Sequence, residues 1–114
     1  LEDRLDDLWG KAVKKKFRNK CAVCGTPYNL QAAHVWSRKN KFVRWDILNG
    51  ICLCIRHHIF WAHTEPIEFA RFCEKKIGEK TMKELEFKAH QVTHYTMEDL
   101  MEIKKNLEAY LEEN

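Results

Sequence analysis

Between Cys21 and His63 the chain gathers four of its five cysteines and four of its six histidines. The stretch contains the strings CAVCG, AAHVWSR and WDILNGICLCIRHHIFWAH. Disulfide frameworks use an even cysteine count and have no need of adjacent histidines, so an odd count beside histidines points to metal ligation in a reducing compartment. Cys21 and Cys24 are separated by two residues and can reach one ion if the chain turns between them. Gly25 eases that turn because it tolerates positive φ. Cys54 and His57 repeat the spacing about thirty residues later. Together the four make a Cys₃His set, which suits a closed, structural zinc site. Cys52 is the rival ligand, but a one-residue spacing from Cys54 makes a poor knuckle, and a small buried hydrophobe is the better reading. A redox use of Cys21 and Cys24 lacks the surrounding βαβ pattern.

Two short strands flank the remaining site candidates. Alternation in LQAAHVWS places Leu30, Ala32, His34 and Trp36 on one face. ICLC at residues 51–54 forms the second strand, and the two are expected to pair as an antiparallel ribbon. Between them lie a basic loop at residues 38–41, an irregular stretch at 42–46 and an Asn49-Gly50 turn. After the second knuckle a helix opens at His58. His58 and His63 lie about 140° apart on a regular α-helix, so they share a face only if the helix bends or ends near Ala62.

With 114 residues the chain is sized for one domain. Such a domain buries a modest core and gains from a metal staple. Helices are predicted over residues 3–18, 66–77, 82–90 and 97–112. The first carries an apolar stripe of Leu5, Leu8, Trp9, Ala12, Val13 and Phe17. The second has Ile67, Ala70, Cys73 and Ile77 on one side and ends at Gly78. Capping boxes at Thr81–Glu84 and Thr96–Asp99 start the last two. Leu100, Ile103, Leu107, Tyr110 and Leu111 form the buried stripe of the last. No apolar run reaches the ~20 residues that span a bilayer, and no signal peptide pattern is visible. A cytoplasmic location without membrane contact is expected.

The net charge is +3, yet residues 1–60 hold 12 Lys/Arg against 5 Asp/Glu, and residues 61–114 hold 8 against 12. From Lys11 to Trp45 there are ten basic residues and no acid. Lys14, Lys15, Lys16, Arg38, Lys39, Lys41 and Arg44 surround the metal motif and are expected to bind phosphates of DNA. The plainer alternative is a solvated basic face.

Phosphodiester hydrolysis needs a base for water, a cation for the developing charge and a hold on the strand. His34 is the candidate base, since a neutral imidazole can take a proton from water near neutral pH. Asn49 either hydrogen-bonds the His34 ring, orients the backbone around it, or only makes a turn. His58 follows the zinc ligand His57 and is aimed at a different site.

The order Cys-x-x-Cys, His34, Asn49, Cys54-x-x-His57-His58 resembles the HNH (ββα-metal) endonuclease family. The strings AAHVWSR, RWDILNG and LCIRHHIFWAH look most like its phage recombination-nuclease branch, the Rap/NinG-like proteins. The resemblance covers about residues 21–70 and implies an α+β fold. That fold is a small zinc-stapled ββα-metal core, a short two-stranded ribbon plus helix, surrounded by N- and C-terminal helices in a single domain over residues 1–114. It further implies that His34 is the general base, Asn49 orients the site and His58 binds or supports a catalytic Mg²⁺ or Mn²⁺. Cys21, Cys24, Cys54 and His57 match the structural zinc set. The implied activity is metal-dependent nicking of duplex or branched DNA by a bacterial or phage-encoded protein. One departure stands out: Ala33 occupies a position that often carries a metal-binding Asp or His. His58 and His63 are then the candidate ligands of the catalytic ion, with Asp46 a further one. The same departure motivates the alternative of a zinc-stapled DNA-binding module without catalysis.

Overall fold

Acidic Glu2 and Asp3 open helix α1 (Glu2–Lys16), and Lys14, Lys15 and Lys16 close it. That distribution complements the helix dipole. Its apolar stripe buries Leu5, Leu8, Trp9, Ala12 and Val13. The computed structural model describes residues 1–113, apart from the side chain of Phe60. Among them the fold is α+β, with one two-stranded antiparallel ribbon and six helices.

Strand β1 (Leu30–His34) pairs with β2 (Gly50–Cys54), with Leu30 opposite Cys54 and His34 opposite Gly50. An isolated two-stranded ribbon is marginal in water. Here all five residues of β2 are buried, because each face meets a different core. Toward α1, Ala32 packs with Leu5, Leu8, Trp9, Val13, Trp45 and Leu107. On the other side Ala33, Ile51 and Leu53 share a cluster with Cys21, Cys54, Ala62 and Cys73. A third, smaller cluster of Val43, Leu85 and Ala89 lies under Trp36.

The segment between the strands is more regular than its sequence suggests. Helix α2 (Lys41–Arg44) occupies the stretch expected to be irregular. A 3₁₀ turn (Ile47–Asn49) follows, capped by the Asp46 carboxylate, which accepts from the Leu48 N–H at 2.9 Å. Asn49-Gly50 is not a turn. Gly50 has φ −135° and ψ 147°, ordinary strand values, and begins β2. Glycine is required there by proximity. A Cβ at this position would lie 2.3 Å from Val13 Cγ2 and 2.9 Å from Trp9 Cζ2. Gly50→Ala should therefore force α1 off the ribbon. A loss of about 1–3 kcal/mol, typical of overpacking, is expected as a lowered melting temperature.

Beyond β2, helix α3 (Ile55–His57) continues into a π-helical segment, His58–Ala62. Helix α4 (Pro66–Ile77) begins on its proline, and Gly78 at φ 100° ends it. Its buried side carries Phe69, Phe72, Cys73 and Ile77, whereas Ile67 is 68% exposed and Ala70 is also exposed. Helix α5 (Glu79–Ala89) starts directly after Gly78. Thr81 thus lies inside α5, and the expected Thr81–Glu84 capping box is not used. Helix α6 (Met97–Glu112) does use its box: Thr96 and Asp99 cap each other reciprocally. It lies against α1, burying Leu107 and partly burying Leu100, Ile103, Tyr110 and Leu111. No described helix is long and apolar enough to cross a membrane.

Candidate metal centre and histidine cleft

The two knuckles converge as their spacing implies. One ligand atom from each of Cys21, Cys24, Cys54 and His57 lies within 4.8 Å of the others. Cys24 Sγ and Cys54 Sγ are 3.9 Å apart. Cys21 Sγ is 3.7 Å and Cys54 Sγ 3.2 Å from His57 Nδ1. Tetrahedral zinc with Zn–S bonds of about 2.3 Å places its sulfurs about 3.8 Å apart, so the donor spacing fits such an ion. The chain turns between the first two ligands with the Gly25 N–H on the Cys21 carbonyl at 2.9 Å and Gly25 at φ 75°.

The electrostatics of the cluster agree. Burial raises the Cys21 thiol pKa, but backbone hydrogen bonds at Cys24, Cys54 and Val23 outweigh it and bring the value down to about 6. A pocket that donates N–H groups to sulfur is built for a thiolate. Cys24 shifts upward despite a backbone hydrogen bond at Thr26, because desolvation, hydrogen bonding to the Cys21 and Cys54 sulfurs and the Cys21 charge together disfavour a second thiolate. A cation between them removes that conflict. Burial and neighbouring sulfur charge push Cys52 up to about 11. Fully buried in β2, it stays a neutral thiol outside the cluster, as its spacing suggested.

Beside this centre lies an open cleft of about 530 Å³, lined among others by His34, His58, Gln31, Trp9, Lys14 and Arg38. His34 stacks on the Trp9 indole, with ring centroids 3.8 Å apart and planes 10° from parallel. Its Nε2 lies 3.0 Å from the Arg44 carbonyl oxygen. A carbonyl only accepts, so Nε2 carries the proton and Nδ1 keeps a lone pair. Burial lowers the His34 pKa, and the nearby Arg38 and Arg44 charges lower it further, against opposing contributions from the Arg44 carbonyl and Asp6.

His58 is oriented by a residue the sequence did not single out. Its Nδ1 lies 2.6 Å from Gln31 Oε1, which leaves Nε2 as the free ring nitrogen. Burial lowers its pKa, and the positive charges that His63 and His34 can carry lower it further. His63 approaches edge-on at 4.8 Å between ring centroids. The π-helical segment explains this pairing. Bonding from i to i+5 inserts an extra residue per turn and brings positions five apart onto one side. Nothing in HIFWAH marks a π segment in advance. Among the described residues, no third His, Cys, Asp or Glu closes a cluster with His58 and His63. Ala33, 2% exposed, lies in the metal-side core.

Asn49 is fully buried, and none of its side-chain hydrogen bonds goes to His34. Its Oδ1 accepts from the Trp36 N–H at 2.8 Å, and its Nδ2 donates to the Trp36 and Val43 carbonyls at 2.9 and 3.0 Å. It ties the loop after β1 to α2, orienting the backbone around His34. Asn49→Ala removes the side-chain partner of the Trp36 N–H and C=O, while the Val43 carbonyl keeps the Asp46 N–H at 3.2 Å. At about 1–3 kcal/mol for each unsatisfied group, moderated by relaxation, a loss of several kcal/mol in denaturant unfolding is expected.

The basic block is not an unopposed face. Glu2 and Asp6 of α1 answer it. Arg44, whose side chain is 12% exposed, pairs with Asp6 at 2.7 Å and Glu2 at 3.0 Å. Arg38 pairs with Asp6 at 3.1 Å and Lys41 with Glu2 at 3.5 Å, both remaining half exposed. Lys15 reaches back to the Tyr110 and Glu113 carbonyls at the end of α6. Arg44 and Lys15 thus have partners within the fold. Lys11, Lys14 and Arg38 line the cleft itself, and Lys16 and Lys39 are exposed.

The chain matches no family model, no curated protein and no solved structure.

Proposed function

We propose that this chain is a metal-dependent DNA endonuclease of the HNH kind, most like the Rap/NinG-like branch, that nicks one strand of duplex or branched DNA. The observation that carries this reading is a neutral His34 with Nδ1 unprotonated, in a cleft shared with His58 and rimmed by Lys11, Lys14 and Arg38. That nitrogen can accept a proton from water as it attacks phosphorus. The lysines and Arg38 hold phosphates on either side. His58 and His63 would hold a divalent ion, Mg²⁺ or Mn²⁺, which supplies charge stabilisation at the phosphate when bound. In this reading the Cys₃His cluster holds structural zinc, and the ribbon with the helical segment after it is a zinc-stapled ββα-metal core.

A second reading, a zinc-stapled DNA-binding module without catalysis, draws on Ala33. An imidazole pair without a carboxylate is a poor match for Mg²⁺, which favours oxygen ligands. Supercoiled plasmid incubated with Mg²⁺, Mn²⁺ or EDTA separates the two. Conversion to open circle only with added ion supports the nuclease. No cutting under any ion, with a gel shift that weakens as salt rises, supports the binding module.

A further inference from the structure

The ring of His34 is held from outside the stretch that carries the family resemblance. Trp9 of α1 lies flat against it at 3.8 Å, and the Trp9 Nε1–H donates to the Asp46 carbonyl at 2.7 Å. The indole is thereby pinned at both its face and its edge. The carbonyl that takes the His34 Nε2 proton belongs to Arg44, and the Arg44 side chain is latched to α1 through all three of its nitrogens. Nε and Nη2 donate to the two oxygens of Asp6 at 3.0 and 2.7 Å, and Nη1 donates to Glu2 at 3.0 Å. Asp6 also accepts from the Trp45 indole N–H at 2.9 Å and from Arg38 at 3.1 Å. A bidentate guanidinium–carboxylate pair fixes direction as well as distance. The latch holds the Arg44 side chain against α1, and with it the end of α2 that carries the carbonyl.

We propose that Asp6 and Trp9 are positioning residues for His34. Asp6 fixes the Arg44 carbonyl that receives the Nε2 proton, and Trp9 fixes the plane of the ring, so that Nδ1 is presented to the cleft. Which ring nitrogen carries the proton is set by the partner of the other. Freeing the Arg44 carbonyl lets the Nδ1–H form appear, and that form cannot accept a proton from water at Nδ1. The consequence for cleavage rests on the nuclease reading. The tautomer itself does not.

The test compares the full chain with Asp6→Asn and with Asp99→Asn. The second variant weakens the α6 cap far from the cleft and controls for destabilisation alone. The amide of Asp6→Asn places an NH₂ where Arg44 needs an acceptor. Long-range ¹H–¹⁵N spectra of the His34 ring at neutral pH are the readout, with cleavage kinetics beside them. The wild type and Asp99→Asn are expected to show the Nε2–H tautomer alone, and Asp6→Asn a mixture of both. kcat for nicking should fall on the order of 10- to 100-fold in Asp6→Asn, by analogy with the loss of outer hydrogen-bond partners behind metal-binding histidines, with KM little changed. Trp9→Phe, which keeps an aromatic face, should retain the wild-type tautomer. A wild-type ring protonated at Nδ1, or an Asp6→Asn ring still purely Nε2–H, overturns the proposal. If the wild type cuts nothing, the spectra still decide the positioning while the nuclease reading fails separately.

Discussion

If the Cys₃His cluster holds structural zinc as proposed, stripping the ion with a strong chelator is expected to unfold the domain. The reason is one of scale. A structural zinc site contributes on the order of 10–16 kcal/mol of apparent binding free energy in finger peptides, whereas a whole domain is stable by about 5–15 kcal/mol. The cluster also has few substitutes nearby. Residues 18–29 contain no helix or strand, and three residues with positive φ other than glycine, Arg18, Asn19 and Asn29, bracket the first knuckle. The described backbone bonds holding this segment to β2 and the start of α3 include the Ala22 N–H to the Cys52 carbonyl at 2.8 Å and the Ile55 N–H to the Asn29 carbonyl at 2.9 Å. Far-UV circular dichroism and melting, followed with verified zinc content, check the expectation. An unchanged melt after complete zinc loss removes the structural role. Restored zinc should restore the signal while the thiols are kept reduced, since metal binding and folding are coupled.

His34→Ala should abolish nicking while leaving DNA affinity near its original value. On the nuclease reading a positioned base contributes about 10²–10⁴-fold, and the phosphate contacts proposed for Lys11, Lys14 and Arg38 would not pass through the ring. The pH profile adds a second check. Burial holds the His34 pKa below its ordinary 6.5, so the neutral, proton-accepting form persists into mildly acidic solution. The acidic limb of kcat should accordingly lie below pH 6.5. Stability follows the same sign. The folded state prefers neutral His34 and His58. Their contribution is present above the unfolded value of 6.5 and is lost as pH falls through the lowered folded values. An acidic limb at or above 6.5 would place the titrating base elsewhere.

Much of the scaffold is legible along the chain because it is local. Two-residue ligand spacing is a property of adjacent turns, so the Cys₃His set could be assembled from Cys21, Cys24, Cys54 and His57 alone. Helix α1 and helix α6 declare themselves by periodicity, and Thr96–Asp99 by its cap. What escaped is non-local. Asn49-Gly50 has the composition of a turn, but Gly50 is small because Val13 and Trp9 press on it from α1. Thr81–Glu84 has the letters of a capping box, but Gly78 at φ 100° lets the helix start three residues earlier. The run of basic residues from Lys11 to Trp45 looks unopposed in one dimension. In space Glu2 and Asp6 take up Arg38, Lys41 and Arg44. Gln31 gave no signal, since a strand glutamine is ordinary until His58 is seen beside it.

Strand β2 is buried throughout, with the α1–α6 core on one side and the Cys21, Cys54, Ala62 and Cys73 cluster on the other. Neither half can open without exposing strand residues that the other half needs covered. The domain should consequently behave as one cooperative unit, not as two foldons in series. Its last amides to exchange with solvent would be those of Ala33, Ile51 and Leu53, which lie in the hydrogen-bonded pairs of the ladder. Their exchange would report global unfolding, even though the ribbon is the smallest element of secondary structure to run between the two halves.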